Sequence, residues 1–390
     1  MKLKRVMVIA GDPSGDALAA DLVRALGKRL EPMPCSFFGA GGPKMAHAGV
    51  ALAFDLTSDS VIGISDVFKK LPEFRKRFLH LVDLAVERQP ELIVLVDFSG
   101  FNRRFAKAIR RRQKQSENWK PRIVQYVSPQ VWASRSGRAR SLVRDVDLLL
   151  CLFPFEKDWY AKRFPTLNVE FVGPPIFDRY ANYKFQPEKY PSESQVGADT
   201  HLPLVVLLPG SRKAELKRHL LVMLTALEQI QNKVPVRYRI VLPESLDITG
   251  LFPELPHNLS IQHGGLAEAL REASVAISKT GTVMLECAYF GVPTVAIYKT
   301  SWLTALIARF IIQVKFLAMP NLLANEAVFP ELLQQDATAD RIAAEALDLL
   351  RNESRRAGVK AKLTEVISRL GGIGATERAA SAVLKLLTSE

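Results

Sequence analysis

The chain has 390 residues, 48% of them hydrophobic, which is enough for two domains with full cores and excludes a disordered chain. Its 53 lysines and arginines against 40 aspartates and glutamates leave a formal charge of +13, which favours anionic partners. No zinc-finger spacing and no RNP-like aromatic motif accompanies that charge, so nucleic acid gives way to a membrane surface or a phosphorylated ligand.

Taken in chain order, the basic start and the short apolar run after it do not make a signal peptide and read as a first strand at Val6–Ala10. It ends in AGDPSGD (10–16), where Ser14 and Gly15 are candidate ligand contacts. The same turn also reads as a tight strand-to-helix connection capped by Ser14 or Asp12. It does not spell the dinucleotide fingerprint, and no acidic residue ends the second strand, which disfavours hydride transfer. A helix is expected at Asp16–Leu30 and a strand at Ser36–Gly39. GAGGPKM (39–45) follows with three glycines in four positions, which lets a ligand or a second loop approach the backbone; Gly41, Gly42 and Met45 are its candidate contacts.

Residues 68–82 interleave basic side chains with Phe68, Leu71, Phe74 and Phe78. That mixture suits a helix lying in a membrane interface and equally a core-facing helix with a solvated basic face. The strand Leu92–Val96 then delivers Asp97 at the end of an apolar run. A carboxylate against an apolar wall has a raised proton affinity and suits general-base work, while an aspartate at this position also serves as a helix cap. The next helix, Phe101–Gln113, has Asn102 in its first turn as a further candidate contact. Beyond the strand Ile123–Tyr126, Ser128 and Trp132 mark a polar and aromatic loop, which reads as a sugar or acyl-chain contact or as Trp132 in the core.

Asp145 and Asp147 form an Asp-x-Asp pair, but they lead directly into the strand Leu148–Leu152, at the wrong end for a ligand cleft. The six histidines are dispersed, so no metal site is expected. Cys35, Cys151 and Cys287 have no metal-ligand spacing and read as reduced thiols of a cytosolic protein. A last strand at Glu170–Val172 closes the first half.

Residues 182–203 are polar, proline-bearing and aperiodic, and read as a linker. The alternation restarts with strands at Leu204–Leu208, Tyr238–Leu242, Leu259–Gln262, Val275–Ser278 and Thr294–Ile297. The first of these stops at Pro209 and Gly210 and places Ser211 and Arg212 where a helix begins. Backbone N–H groups, the helix dipole and a guanidinium fork make that a phosphate site. The fourth runs into Thr280, Gly281 and Thr282 and a helix carrying Glu286, a carboxylate suited to ribose hydroxyls. Either turn alone is ordinary capping chemistry; together they fit a nucleoside diphosphate. Trp302–Met319 is apolar but interrupted by Arg309, Gln313 and Lys315, so no transmembrane helix is expected there.

The fold class expected is α/β, with two Rossmann-like, doubly wound parallel-sheet domains facing a cleft. Their bounds are 1–185 for the first domain, 186–202 for a linker and 203–345 for a second, nucleotide-binding domain. Residues 346–390 are expected to form C-terminal helices packing back on an N-terminal domain.

The ordered motifs AGDPSGD, GAGGPKM, VDFSGFN (96–102), QYVSPQVWA (125–133), LFPFEKDWY (152–160), LLPGSR (207–212), KTGTVMLE (279–286), MPNLLANE (319–326) and PELLQ (330–334) run over nearly the whole chain. In these the chain resembles the lipid-A-disaccharide synthase family of inverting, GT-B-like glycosyltransferases. The resemblance implies a UDP-2,3-diacylglucosamine donor, a 2,3-diacylglucosamine 1-phosphate acceptor, and a β-1,6-linked disaccharide with UDP as products. It implies Asp97 as base, Arg212 on the phosphates, Asn321 as a functional asparagine and Glu286 in the nucleotide domain. The UDP-sugar is then a substrate, and no cofactor or metal is called for. A homodimer with exchanged C-terminal elements is also implied, peripherally bound to the cytoplasmic face of the bacterial inner membrane. The chain departs from the family pattern at Asp12, Gly100, Pro174, Thr280 and Asn325, where glutamate, aspartate, histidine, serine and glycine are usual. The residues by themselves also accommodate a transferase or epimerase for another UDP-sugar, or a non-catalytic nucleotide-sugar binder.

Overall fold

The computed structural model describes residues 4–57, 71–116, 118–133, 137, 139–181, 202–244, 246, 248, 260–302, 304–306 and 312–388. The expected linker, apart from residue 202, lies outside them, as do Phe68, Leu259 and Arg309. The chain divides into two compact units, Met1–Asp178 with Leu370–Glu390, and Arg179–Arg369.

The first unit is built on seven strands: β1 (Lys4–Ala10), β2 (Cys35–Gly41), β3 (Val50–Asp55), β4 (Leu92–Val96), β5 (Arg122–Tyr126), β6 (Leu148–Cys151) and β7 (Val169–Phe171). All pair in parallel, in the order β3-β2-β1-β4-β5-β6-β7. The connecting helices are α1 (Pro13–Leu30), α2 (Pro43–His47), α3 (Leu71–Arg88), α4 (Ser99–Gln113), α5 (Ala139–Asp145) and α6 (Pro154–Arg163). The central strands read as continuous apolar runs because both faces are covered. Val6, Val8 and Ala10 of β1 join Leu22 and Leu26 of α1 on one face, while Met7 and Ile9 join Phe105 and Ile109 of α4 on the other. Truncating a residue such as Ile93 or Leu95, both fully buried in β4, would cost about 2–5 kcal/mol.

Of the basic-aromatic segment 68–82, residues 71–82 belong to α3, and its rings turn inward. Phe74 and Phe78 meet Phe101 of α4 edge to face at 5.5 and 5.3 Å. The core-facing reading therefore describes the aromatic side of this helix.

The second unit repeats the plan with β8 (Leu204–Leu208), β9 (Arg237–Leu242), β10 (Ser260–His263), β11 (Ala273–Lys279), β12 (Thr294–Tyr298) and β13 (Glu331–Leu333), in the order β10-β9-β8-β11-β12-β13. Its helices are α7 (Lys213–Gln231), α8 (Leu266–Glu272), α9 (Val283–Tyr289), α10 (Met319–Ala324), α11 (Ala339–Arg351) and α12 (Glu353–Ser368). The sequence pattern does not announce β3 or β13. Each is a sheet edge, held by a single neighbouring strand.

The 346–390 segment divides between the units. The end of α11 and all of α12 stay with the second, whereas α13 (Ala375–Thr388) packs on α1, with Ala379, Ala380 and Val383 in the core beside Leu22 and Val23. Asp178 secures the start of α13 by accepting the N–H groups of Gly374, Ala375 and Thr376 at 2.6, 3.1 and 2.8 Å. In the β7–α13 region Gly173 adopts φ +84°, and a Cβ there would lie 2.7 Å from the Leu370 carbonyl oxygen.

In both sheets the strand order reverses once, between β1 and β4 and between β8 and β11. Adjacent strands that send their connections to opposite faces leave a crevice at their carboxyl ends, where ligands bind in such sheets. Among the described residues no helix is long and apolar enough to cross a membrane.

Candidate active-site turns

In the first unit the reversal brings together the turns after β1 and β4. They touch closely: a Cβ on Gly11 would stand 2.1 Å from the Phe98 ring, so only glycine fits. Asp12, not Ser14, caps α1, taking the Gly15 N–H at 2.7 Å, and Ser14 is exposed at the helix start. Asp16, 2% exposed, accepts N–H groups from Gly42, Lys44 and Met45 at 2.8, 3.0 and 3.0 Å. The close approach that GAGGPKM permits is thus made by the chain itself. Gly41 packs under the Met45 thioether, Gly42 under Asp16 and Thr57, and Met45 is fully buried.

Asp97 and Phe98 both have left-handed backbones, φ +47° and +33°, and Val127 after β5 has φ +70°. Such conformations are strained for Phe98 and Val127 and persist only where the surroundings hold them. Two buried amides do so. Asn102 donates to the carbonyl oxygens of Val96 and Asp97 at 3.2 and 2.8 Å, and Gln125 donates to those of Asp97, Tyr126 and Val127 at 3.1, 3.3 and 3.3 Å. Fully buried, Asn102 acts on the backbone beneath Asp97 and presents nothing to the surface. The N-cap of α4 is Phe98, so the carboxylate of Asp97 is not the helix cap. Burial first, and then the negative charge of Asp12, push its pKa up to about 6, with the Phe98 N–H pulling the other way. A carboxylate so placed is ionised at neutral pH and more basic than an ordinary one.

Beyond β5, Trp132 is 8% exposed, stands edge to face on Phe155 at 4.8 Å and donates its indole N–H to Glu156 at 2.9 Å. Glu156, buried, also takes the Leu152 and Phe153 N–H groups at 3.0 Å each. Burial raises its pKa to about 7 against those bonds and one from Ser128. Ser128 is itself buried and lies 3.4 Å from the Tyr160 hydroxyl. Ser128 and Trp132 are therefore wall rather than surface. Asp145 and Asp147 precede β6 as expected and pair with Arg144 and Arg110, each at 2.6 Å.

In the second unit the neighbouring ends of β8 and β11 place LLPGSR beside KTGTVMLE. Gly210 adopts φ +131°, and Arg212 is the exposed, extended N-cap residue of the 19-residue helix α7. Ser211 is exposed too, but its backbone N–H donates to Glu215 at 3.0 Å. In the second turn Gly281 and Thr282 are exposed and Thr280 is buried, its N–H held by the Ile297 carbonyl at 2.9 Å. Glu286 is 9% exposed, one oxygen accepts the Tyr180 hydroxyl, and burial raises its pKa.

Asn321 has no exposed surface. Its amide donates to the Phe329 carbonyl at 2.7 Å and to Glu331 at 2.9 Å and accepts the Phe329 N–H at 2.7 Å, which ties α10 to β13. Asn325 ends α10 in the left-handed conformation, φ +56°, one of the few non-glycine residues at ease there. Gly100, in the first turn of α4, has open space where a side chain would be. A cavity of about 710 Å³ opens beyond β12, lined by Tyr298, Trp302, Leu306, Ile312, Val314 and Leu317, with Trp302 75% exposed.

Sequence reasoning did not single out Asp16, Gln125, Glu156, Glu215 or Lys279. Asp16, Gln125, Glu156 and Lys279 belong to quoted motifs, and Glu156 has the capping-box position of α6 as a signal. Nothing local marks the long-range partners of the others.

A family model for lipid-A-disaccharide synthetase matches residues 6–386. A Geobacter sulfurreducens protein named lipid-A-disaccharide synthase is 35% identical over 387 residues, spanning 98% of this chain and 97% of its own. Among solved structures the chain is similar to a putative UDP-N-acetylglucosamine 2-epimerase from Listeria monocytogenes, with TM-score 0.65, 14% identity and coverage of 100% and 97% of the two chains. It is also similar to CalG4, the calicheamicin glycosyltransferase, with TM-score 0.59, 16% identity and 99% of each chain covered. At those identities the structural likeness shows a shared fold.

Proposed function

The chain belongs to the lipid-A-disaccharide synthetase family, and on that premise we propose that it transfers the sugar of UDP-2,3-diacylglucosamine to 2,3-diacylglucosamine 1-phosphate. It is a GT-B-like glycosyltransferase of lipid A biosynthesis; these particular substrates, and the roles below, are our reading. Asp97 carries it, a carboxylate at the strand end of a sheet reversal with a proton affinity raised into the range of a working base.

In this reading Asp97 takes the proton of the acceptor hydroxyl as its oxygen attacks the anomeric carbon. The bond from that carbon to the UDP oxygen breaks in the same displacement, which inverts the configuration and gives the β-1,6 link. Charge gathers on the departing diphosphate. Arg212 and the positive end of α7 meet it, with Gly281 and Thr282 beside them, and a fixed donor of this kind is worth about 3 kcal/mol in the transition state. Glu286 is assigned to the ribose. Asn321 and Asn102 act by holding the chain around these groups. The mechanism needs no metal and no cofactor, because fixed protein charges do the stabilising.

The acyl chains of both substrates place the reaction at a lipid surface, and we assign the exposed Trp302, Leu306 and Ile312, with Lys315 nearby, to that surface. Anionic inner-leaflet lipid fits the charge of +13. A homodimer is part of the same proposal. Incubating the protein with both substrates and following the disaccharide 1-phosphate and UDP by mass spectrometry tests the reading. UDP-sugar binding without product would leave a non-catalytic binder, and turnover of a different UDP-sugar would leave a divergent transferase or epimerase.

A further inference from the structure

A single carboxylate joins the two turns of the second unit. Glu215, in the first turn of α7, holds the Ser211 N–H with one oxygen at 3.0 Å, and its other oxygen lies 3.0 Å from the Lys279 ammonium. Lys279 ends β11, beside β8 in the sheet. Its nitrogen stands 3.5 Å from the place a Cβ on Gly281 would take, over the exposed second turn. The same carboxylate lies 2.6 Å from where a Gly210 side chain would begin. Both turns therefore carry glycine where the bridge passes, and the bridge fixes the ammonium between them.

A pair as covered as this one loses much of its attraction to desolvation, so its net gain for the fold does not account for its placement. Its value as a ligand contact is greater. A free lysine must order a four-carbon stem to meet a phosphate, whereas Glu215 has already ordered this one. An ammonium has three N–H donors, and Glu215 takes one. Lys279 keeps 20% of its side chain exposed, enough to reach a ligand lying on the turn. Charge permits it as well: with Glu215 ionised, Lys279 and Arg212 leave the two turns one positive charge in excess. Lys299 is directed elsewhere, its ammonium lying on the Ala337 carbonyl at 2.9 Å.

We infer that Lys279 is a second cation of the donor site, contacting the diphosphate alongside Arg212, with Glu215 as the positioning residue that holds its ammonium in place. The inference rests on the second unit being the UDP-sugar site. Because the contact is to phosphate, its loss is felt by UDP and not by uridine.

Calorimetric titration of uridine, UMP and UDP into the full-length protein and its Lys279→Met, Lys279→Gln, Lys279→Arg and Arg212→Ala variants tests this. Lys279→Met and Lys279→Gln should each weaken UDP roughly 10-fold or more and leave uridine within about twofold. Lys279→Arg should recover most of the loss. UDP affinity unchanged in both neutral variants would overturn the assignment, as would equal losses for UDP and uridine, which mean a deformed turn. Lys279→Gln can still hydrogen-bond Glu215 and gives the answer if Lys279→Met fails to fold. Wild-type protein that binds UDP no better than uridine, with Arg212→Ala also silent, would instead remove the donor-site reading and this inference with it.

Discussion

Asp97 is the residue on which the proposed chemistry turns, and the structure shows that it is not the helix cap. A helix cap would be served equally by asparagine, but the cap of α4 is Phe98. Asparagine also tolerates the left-handed backbone at this position, so Asp97→Asn keeps the shape and removes only the basicity. Turnover should fall about 10²–10⁴-fold while UDP affinity holds. In the wild type, kcat/KM should rise with pH up to about 6 and then level off, since the carboxyl must lose its proton to act. Stability runs the opposite way: the folded pKa lies above the unfolded one, so this carboxyl favours folding most at low pH and loses that advantage as pH rises through about 6. Asp97→Asn should therefore melt no lower than wild type at pH 8. An active Asp97→Asn enzyme would withdraw the catalytic assignment. Arg212 is exposed, and its side chain makes no hydrogen bond among the described residues, so Arg212→Ala should lower turnover by roughly 10²-fold with an unchanged melting temperature. Near-normal turnover would make the turn merely structural.

At the scale of elements, the first unit's loops are fastened by carboxylates reaching across helix starts. Asp16 of α1 serves three N–H groups at the start of α2, and Asp178 does the same for α13. Asp16 is nearly inaccessible, so water cannot replace it and Asp16→Ala would leave several donors unpaired. The expected local cost is about 3 kcal/mol, which hydrogen exchange would read as roughly 10²-fold faster exchange at Gly42, Lys44 and Met45. Exchange rates like those of wild type would show that the GAGGPKM loop is held by Met45 packing alone.

For the whole molecule, the surface decides where it works. A charge of +13 together with Trp302, Leu306 and Ile312 exposed on one unit predicts sedimentation with anionic vesicles, weakened by salt. Trp302→Ser combined with Leu306→Ser should reduce the bound fraction at fixed salt. Binding indifferent to vesicle charge would remove the idea. Light scattering at twice the monomer mass would support the homodimer.

The sequence by itself determined the two parallel-sheet units, because buried strands write themselves as apolar runs and the turns after them must carry glycine, proline and capping residues. The turns of the candidate site were legible for the same reason: Asp97, Arg212 and Glu286 each follow a strand end. What those turns are made of was decided by tertiary structure. Asp16 reaches Met45 across 29 positions, and Gln125 supports Asp97 across 28. The edge strands β3 and β13 draw their pairing from a neighbour, and Trp132 and Asn321 became wall and brace only when the chain closed over them. Local pattern records which face of an element is buried; it holds no trace of how the closed chain buries Asp97 and brings Asp12 near it, which sets its proton affinity, or of Glu215 reaching the Lys279 ammonium.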